Sequence, residues 1–115
     1  MGDIAGKLQR GIEFRCEGRY DEAIAEFQEV IAEDCSNSEA HRQLGLVYGF
    51  SGLFDESLEE LKKAVELNPQ DVDALNDLAM TNAMLGMVEE AKAGFMAVLE
   101  LDPSNEVARK QLSYF

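Results

Sequence analysis

SEAHRQLGLVYGFSGLFDESLEELKKAVELNPQD, residues Ser38–Asp71, runs without a gap into VDALNDLAMTNAMLGMVEEAKAGFMAVLELDPSN, residues Val72–Asn105. Laid one above the other, these 34-residue segments coincide at Ala40 and Ala74, Leu44 and Leu78, Gly52 and Gly86, and Pro69 and Pro103. Leu61 aligns with Phe95, and Val65 with Leu99. Working back, Ile4–Asn37 falls in the same frame through Gly18, Phe27 and Ile31. Working forward, Glu106–Phe115 opens a fourth unit with Ala108 and Leu112 in register. Self-similarity at a fixed period of this size marks units that stack on their neighbours.

Each unit reads as two helices. In the second, Ala40, Leu44, Val47 and Tyr48 recur at helical spacing. Gly52 then interrupts, as a residue that adopts positive φ just past a helix end should. Phe54 restarts the chain, and Leu58, Leu61, Ala64, Val65 and Leu67 form a second apolar stripe. Asn68-Pro69 ends it, because proline disfavours helix in the residue before it. Asn37, Asp71 and Asn105 are placed to cap the next helix, and Ser36-x-x-Glu39 reads as a capping box. The expected helices are 3–17, 20–34, 38–51, 54–67, 72–85, 88–101 and 105–114. Lys7 and Arg10 stand where the third unit has Leu75 and Leu78, so the first helix is expected to present a polar, solvated end.

Composition narrows the function classes. At 115 residues and 46% hydrophobic content the chain is one domain's length with enough apolar mass for a core. Ten basic against 23 acidic residues leave a net charge of −13, which disfavours nucleic acid and anionic membranes as partners. The longest mostly apolar stretch, Leu44–Phe54, is far short of the ~20 residues that span a bilayer. No apolar leader is visible, and Gly6 occupies the place where a myristoylation signal has Ser or Thr. Two cysteines, Cys16 and Cys35, have no zinc spacing and fit a reducing, cytoplasmic setting. No nucleophile–base pair, metal cluster or glycine-rich phosphate loop is legible, so neither an enzyme nor a bound cofactor is expected. The lone histidine, His41, takes a large-residue core position and reads as packing. The acidic runs Asp55-Glu56, Glu59-Glu60 and Glu89-Glu90 read as a solvated outer face.

The pattern resembles the tetratricopeptide repeat (TPR), a helix–turn–helix unit of the type W-x2-L-G-x2-Y…A-x3-F…P. The second unit carries His41, Leu44, Gly45, Tyr48, Ser57, Leu61, Ala64 and Pro69 on that frame. The third carries Leu75, Leu78, Ala79, Asn82, Ala91, Phe95, Val98 and Pro103, and the first Gly11, Phe14, Tyr20, Ala23, Phe27 and Val30. The first unit departs in having Cys35 where the others have proline. The resemblance implies an all-α, right-handed superhelical solenoid of antiparallel helix pairs. It comprises one domain over 1–115, with repeats 4–37, 38–71 and 72–105 and a terminal capping helix 106–115.

By the same resemblance, the first helix of each pair lines a concave groove. Ile12, Leu46, Met80 and Tyr114, with Cys16, Phe50 and Met84 one helical turn on, would form an apolar stripe along it. Arg15 and Arg42 would flank the stripe toward the N-terminal half; Glu39, Asp73, Asn76 and Asp77 toward the centre; Lys110 at the end. Asp73 and Asp77, spaced i, i+4, would make an acidic patch. Family members that hold a chaperone's C-terminal carboxylate use basic and amide side chains, whose positions fall here on Leu8, Ile12, Gln43, Asp73 and Asp77. Those residues do not reproduce the clamp. The expected function is therefore a protein-interaction scaffold that receives a peptide or helix with apolar anchors and basic flanks. A self-associating homo-oligomer is the alternative, and a chaperone of hydrophobic export clients stands behind it. Simple packing against neighbouring helices would account for the same side chains without a ligand.

Overall fold

A computed structural model describes residues 3–115; Met1 and Gly2, on which the lipidation reading bears, lie outside the described residues. Seven helices follow one another: α1 (Ile4–Cys16), α2 (Tyr20–Glu33), α3 (Ser38–Phe50), α4 (Phe54–Leu67), α5 (Val72–Met84), α6 (Val88–Leu101) and α7 (Glu106–Leu112). Each helix packs on the next, and α3 also touches α1 and α5. The result is a right-handed superhelical solenoid of three helix pairs and a short last helix, 44 × 25 × 20 Å.

The two kinds of helix start differently. Asp3, Asn37, Asp71 and Asn105 cap α1, α3, α5 and α7, their carboxylate or amide oxygens accepting from Gly6, Ala40, Ala74 and Ala108 N–H at 3.0, 2.9, 3.2 and 2.9 Å. The cap of α3 is thus Asn37 and not Ser36, which corrects the capping-box reading: Glu39 turns forward to Arg42 and Gln43. The helices α2, α4 and α6 have no side-chain cap. They begin straight out of a tight turn in which Gly18, Gly52 and Gly86 take φ of 78°, 81° and 77°. In those turns Arg19, Leu53 and Met87 each donate to a carbonyl five residues back at 2.8 Å. Acidic pairs such as Asp55 and Glu56 occupy the first turn, where they oppose the helix dipole.

Phe27, Leu61 and Phe95 are fully buried between their helix pairs. The inner helix gives way to the two outer ones: a Cβ on Gly45 would lie 2.7 Å from Leu61 Cγ, and one on Gly11 would overlap the Phe27 ring. In the third pair the frame has Ala79 instead, and the space comes from Gly94 across from it.

His41 is buried, and its Nε2–H donates to the Cys35 carbonyl at 2.9 Å while Nδ1 lies 2.7 Å from Glu60. That bond ties down the one inter-repeat turn that lacks proline. Glu60 is accordingly drawn inward and is no part of a solvated face, a correction to the reading of the Glu59-Glu60 run. At the other end, Lys7 and Arg10 are polar as expected but not merely solvated: they pair with Glu33 at 2.9 Å and Glu26 at 3.5 Å on α2.

Candidate functional groove

Between α3, α4 and α5 the inner surface opens into a hollow of about 310 Å3. Leu46 and Phe50 from α3, Phe54 from α4, and Met80 and Met84 from α5 supply its apolar wall. Gly45 and Gly49, four apart on α3, let Leu61 and Ser57 of α4 approach closely and join the lining, and Ser57, Thr81 and Asp77 give it a polar corner. Phe50, Met80 and Met84 are 55%, 37% and 62% exposed, so their contact surface is open to another molecule. Phe50 is held in place by its neighbours. Its ring stacks on Tyr20 at 6.2 Å, and the Arg15 guanidinium lies 6.0 Å from its centroid.

The stripe read from the sequence divides on this surface. Leu46, Phe50, Met80 and Met84 meet around the hollow together with Asp77. Leu8 and Ile12 instead pack, half-buried, on the cluster of Ala23, Phe27, Leu44 and Val47. Cys16 is exposed at the last position of α1, outside the residues that line the hollow. Tyr114 lies beyond α7 and is not a fourth helical rung. The Lys110 carbonyl accepts from Ser113 instead, so the final turn tightens and the helix stops at Leu112. Lys110 is exposed on α7. Asn76 is buried, and its Nδ2 donates to Asn105 Oδ1 at 3.2 Å, joining α5 to the cap of α7.

The charged residues form a network, which corrects the picture of Asp73 and Asp77 as a free patch. Arg42 Nε donates to Asp77 at 2.9 Å and its Nη1 to Glu39 at 3.1 Å. Asp73 remains exposed beside them. Burial pushes the Asp77 carboxyl above the ordinary aspartate value; Arg42 pulls it back only in part, and Asp73 and Asp71 add to the rise. Burial also opposes the Arg42 charge, but Asp77, Glu39 and Asp73 outweigh it and raise Arg42. The pair thus positions α3 against α5 while contributing little net stability, since desolvation offsets the attraction.

Sequence reasoning missed Phe54, Ser57, Thr81 and Tyr20. For Phe54 and Ser57 the available signal was the Gly45–Gly49 spacing, which strips α3 of side chains where α4 passes and so admits outer-helix residues to the inner surface; Thr81 on α5 and Tyr20 on α2 left no such signal.

Three profiles described as tetratricopeptide or TPR repeats match residues 11–52, 38–71 and 60–93. No curated protein sequence matches the chain. Among solved structures, the first TPR of Spaghetti (RPAP3) bound to the HSP90 peptide SRMEEVD is 26% identical with a TM-score of 0.93, over 96% of this chain and 88% of that one. The second TPR domain of human RPAP3, in complex with the HSP70 peptide SGPTIEEVD, is 29% identical with a TM-score of 0.88, over 94% and 90%. The Sgt2 TPR domain from Aspergillus fumigatus shares the fold at 15% identity, TM-score 0.91, over 99% and 77%.

Proposed function

Because this chain belongs to the tetratricopeptide repeat family, we propose that it is a protein-interaction module whose inner groove takes a peptide or helical segment of a partner at the hollow between α3, α4 and α5. We take residues 1–115 as one repeat domain acting without chemistry of its own. The observation that carries the reading is the exposure of Phe50, Met80 and Met84 around an unfilled apolar hollow. A buried Leu or Phe side chain is worth roughly 1.5–3 kcal/mol, so one well-seated anchor supplies a useful share of a micromolar contact. The RPAP3 domains, which hold chaperone peptides, support the mode of binding. Their ligands are not carried over, because Leu8, Ile12, Asp73 and Asp77 place apolar and acidic groups where a carboxylate clamp needs basic and amide ones. The proposed ligand-facing set is Leu46, Phe50, Met80 and Met84 with Glu39, Arg42, Asp73 and Asp77; basic flanks on the ligand suit the carboxylates. The two free cysteines support a reducing, cytoplasmic setting. Among the described residues, no helix is long and apolar enough to cross a membrane.

The test is capture of partners from the native source with wild type, Phe50→Ala, Met80→Ala and Glu59→Ala as baits, followed by anisotropy titration of the recovered segment. The groove variants should each weaken binding about 5- to 100-fold, as loss of a central anchor does, and Glu59→Ala on the outer face should leave it unchanged. Binding lost with Glu59→Ala and kept by the groove variants would replace the groove with an outer interface. Sedimentation of the isolated chain checks the alternative occupant, a second copy.

A further inference from the structure

The polar corner of the hollow is Ser57, Thr81 and Asp77, and a carboxylate cluster continues from it. Arg42 reaches Glu39 at 3.1 Å and Asp77 at 2.9 Å, and the exposed Asp73 lies one turn before Asp77 on α5. Three carboxylates against Arg42, and against Arg15 with its guanidinium 6.0 Å from the Phe50 centroid, leave a local excess of one negative charge on a chain whose net charge is already −13. Asp77 also lines the apolar hollow, so acceptor edge and anchor site are continuous.

We infer that the groove selects a segment in which a Lys or Arg lies within about one helical turn of a bulky apolar residue. The apolar side chain enters between Phe50, Met80 and Met84, and the cation lies against Glu39, Asp73 and Asp77. An ammonium or guanidinium group only donates, and the exposed Asp73 carboxylate and the remaining lone pairs of Glu39 and Asp77 only accept. This rests on the groove reading above and adds where the partner's cation stands relative to its apolar anchor and which carboxylates receive it. The preference is then opposite to that of a domain that holds SGPTIEEVD, a peptide with three acidic side chains and no Lys or Arg. A second copy of this acidic chain is disfavoured at the same edge by like-charge repulsion.

The test uses the full chain and random peptides displayed on phage, with winners resynthesised and titrated by fluorescence anisotropy beside SGPTIEEVD. Winners should carry Lys or Arg within four residues of Leu, Ile, Phe, Met or Trp. Changing that cation to Glu in the peptide should weaken binding about tenfold or more, because attraction is replaced by repulsion. Asp73→Asn and Glu39→Gln in the protein should each weaken it about two- to fivefold, as loss of one exposed charge pair does. Asp77 is left intact, since its removal strands the half-buried Arg42; the peptide-side change reads the same interaction with the protein unaltered. Winners that need Phe50 but carry no cation, or SGPTIEEVD bound as tightly, overturn the charge inference and leave the groove standing. Winners indifferent to Phe50→Ala and Met84→Ala, or no winners, overturn the groove and the charge inference with it.

Discussion

Asp77 has two roles, as partner of Arg42 and as part of the lining of the hollow, and its titration separates them. Its folded-state value is raised above the free-chain value of about 3.9, chiefly by burial. The folded protein therefore binds that proton more readily than the unfolded chain does. Asp77 contributes stability below about pH 4, and the contribution is lost as the pH rises through the raised value. Asp77→Asn is neutral throughout. The melting temperature of wild type relative to this variant should accordingly rise between pH 7 and pH 4; a relative fall would show that the pairing with Arg42 outweighs burial. Phe95 offers a simpler case. Its ring is fully buried among Ala79, Ala91, Val98 and Ala108, and Phe95→Ala should cost about 3–5 kcal/mol through lost contacts and a residual cavity. On a stability of about 5–15 kcal/mol that should lower the midpoint of thermal unfolding by more than 10 °C or so. An unchanged midpoint would place the ring outside the core.

The start of α3 offers two adjacent cap candidates, Ser36 and Asn37, and the difference between them can be measured. Asn37 Oδ1 takes the Ala40 N–H at 2.9 Å, whereas Ser36 makes no cap at all. Asn37→Ala should therefore destabilise by about 1 kcal/mol, and Ser36→Ala should leave urea unfolding unchanged; the reverse order would restore the capping box. The sequence pattern was misleading here because S-x-x-E names two side chains but not what else they can reach. Glu39 has Gln43 at 2.8 Å and Arg42 at 3.1 Å on its own helix, and it bonds them in preference to a backbone N–H behind it. Where local chemistry has a single solution the pattern was sufficient. Gly18, Gly52 and Gly86, each needing positive φ, located three turns, and the helix ends lie within a few residues of those read from spacing.

Across the whole molecule, translational repetition made the solenoid legible, because a 34-residue period fixes which side chains recur on one face and hence Phe27, Leu61 and Phe95 as core. The groove was legible only in its middle. A repeating pattern treats every unit as equivalent, but end units have one neighbour, so Ile12 packs inward on the first core cluster and Tyr114 falls past the last helix. A contact between units, such as Arg42 with Asp77, joins residues 35 positions apart and leaves no periodic trace, and neither does one within a unit, such as His41 with Glu60. The same end effect gives α7 its role. It is seven residues long, too short to persist alone, yet Ala108 is fully buried and Leu112 packs on the cluster around Phe95. Phe115 folds back so that its ring lies 6.5 Å from that of Phe95. Deleting residues 106–115 would uncover this apolar face at the end of the third helix pair. The shortened chain should melt at a lower temperature and sediment as a concentration-dependent oligomer, since an uncovered patch of this kind is met by a second copy. A deletion variant that stays monomeric and melts with wild type would show that the third helix pair closes its own core, and that α7 is an appendage rather than a cap.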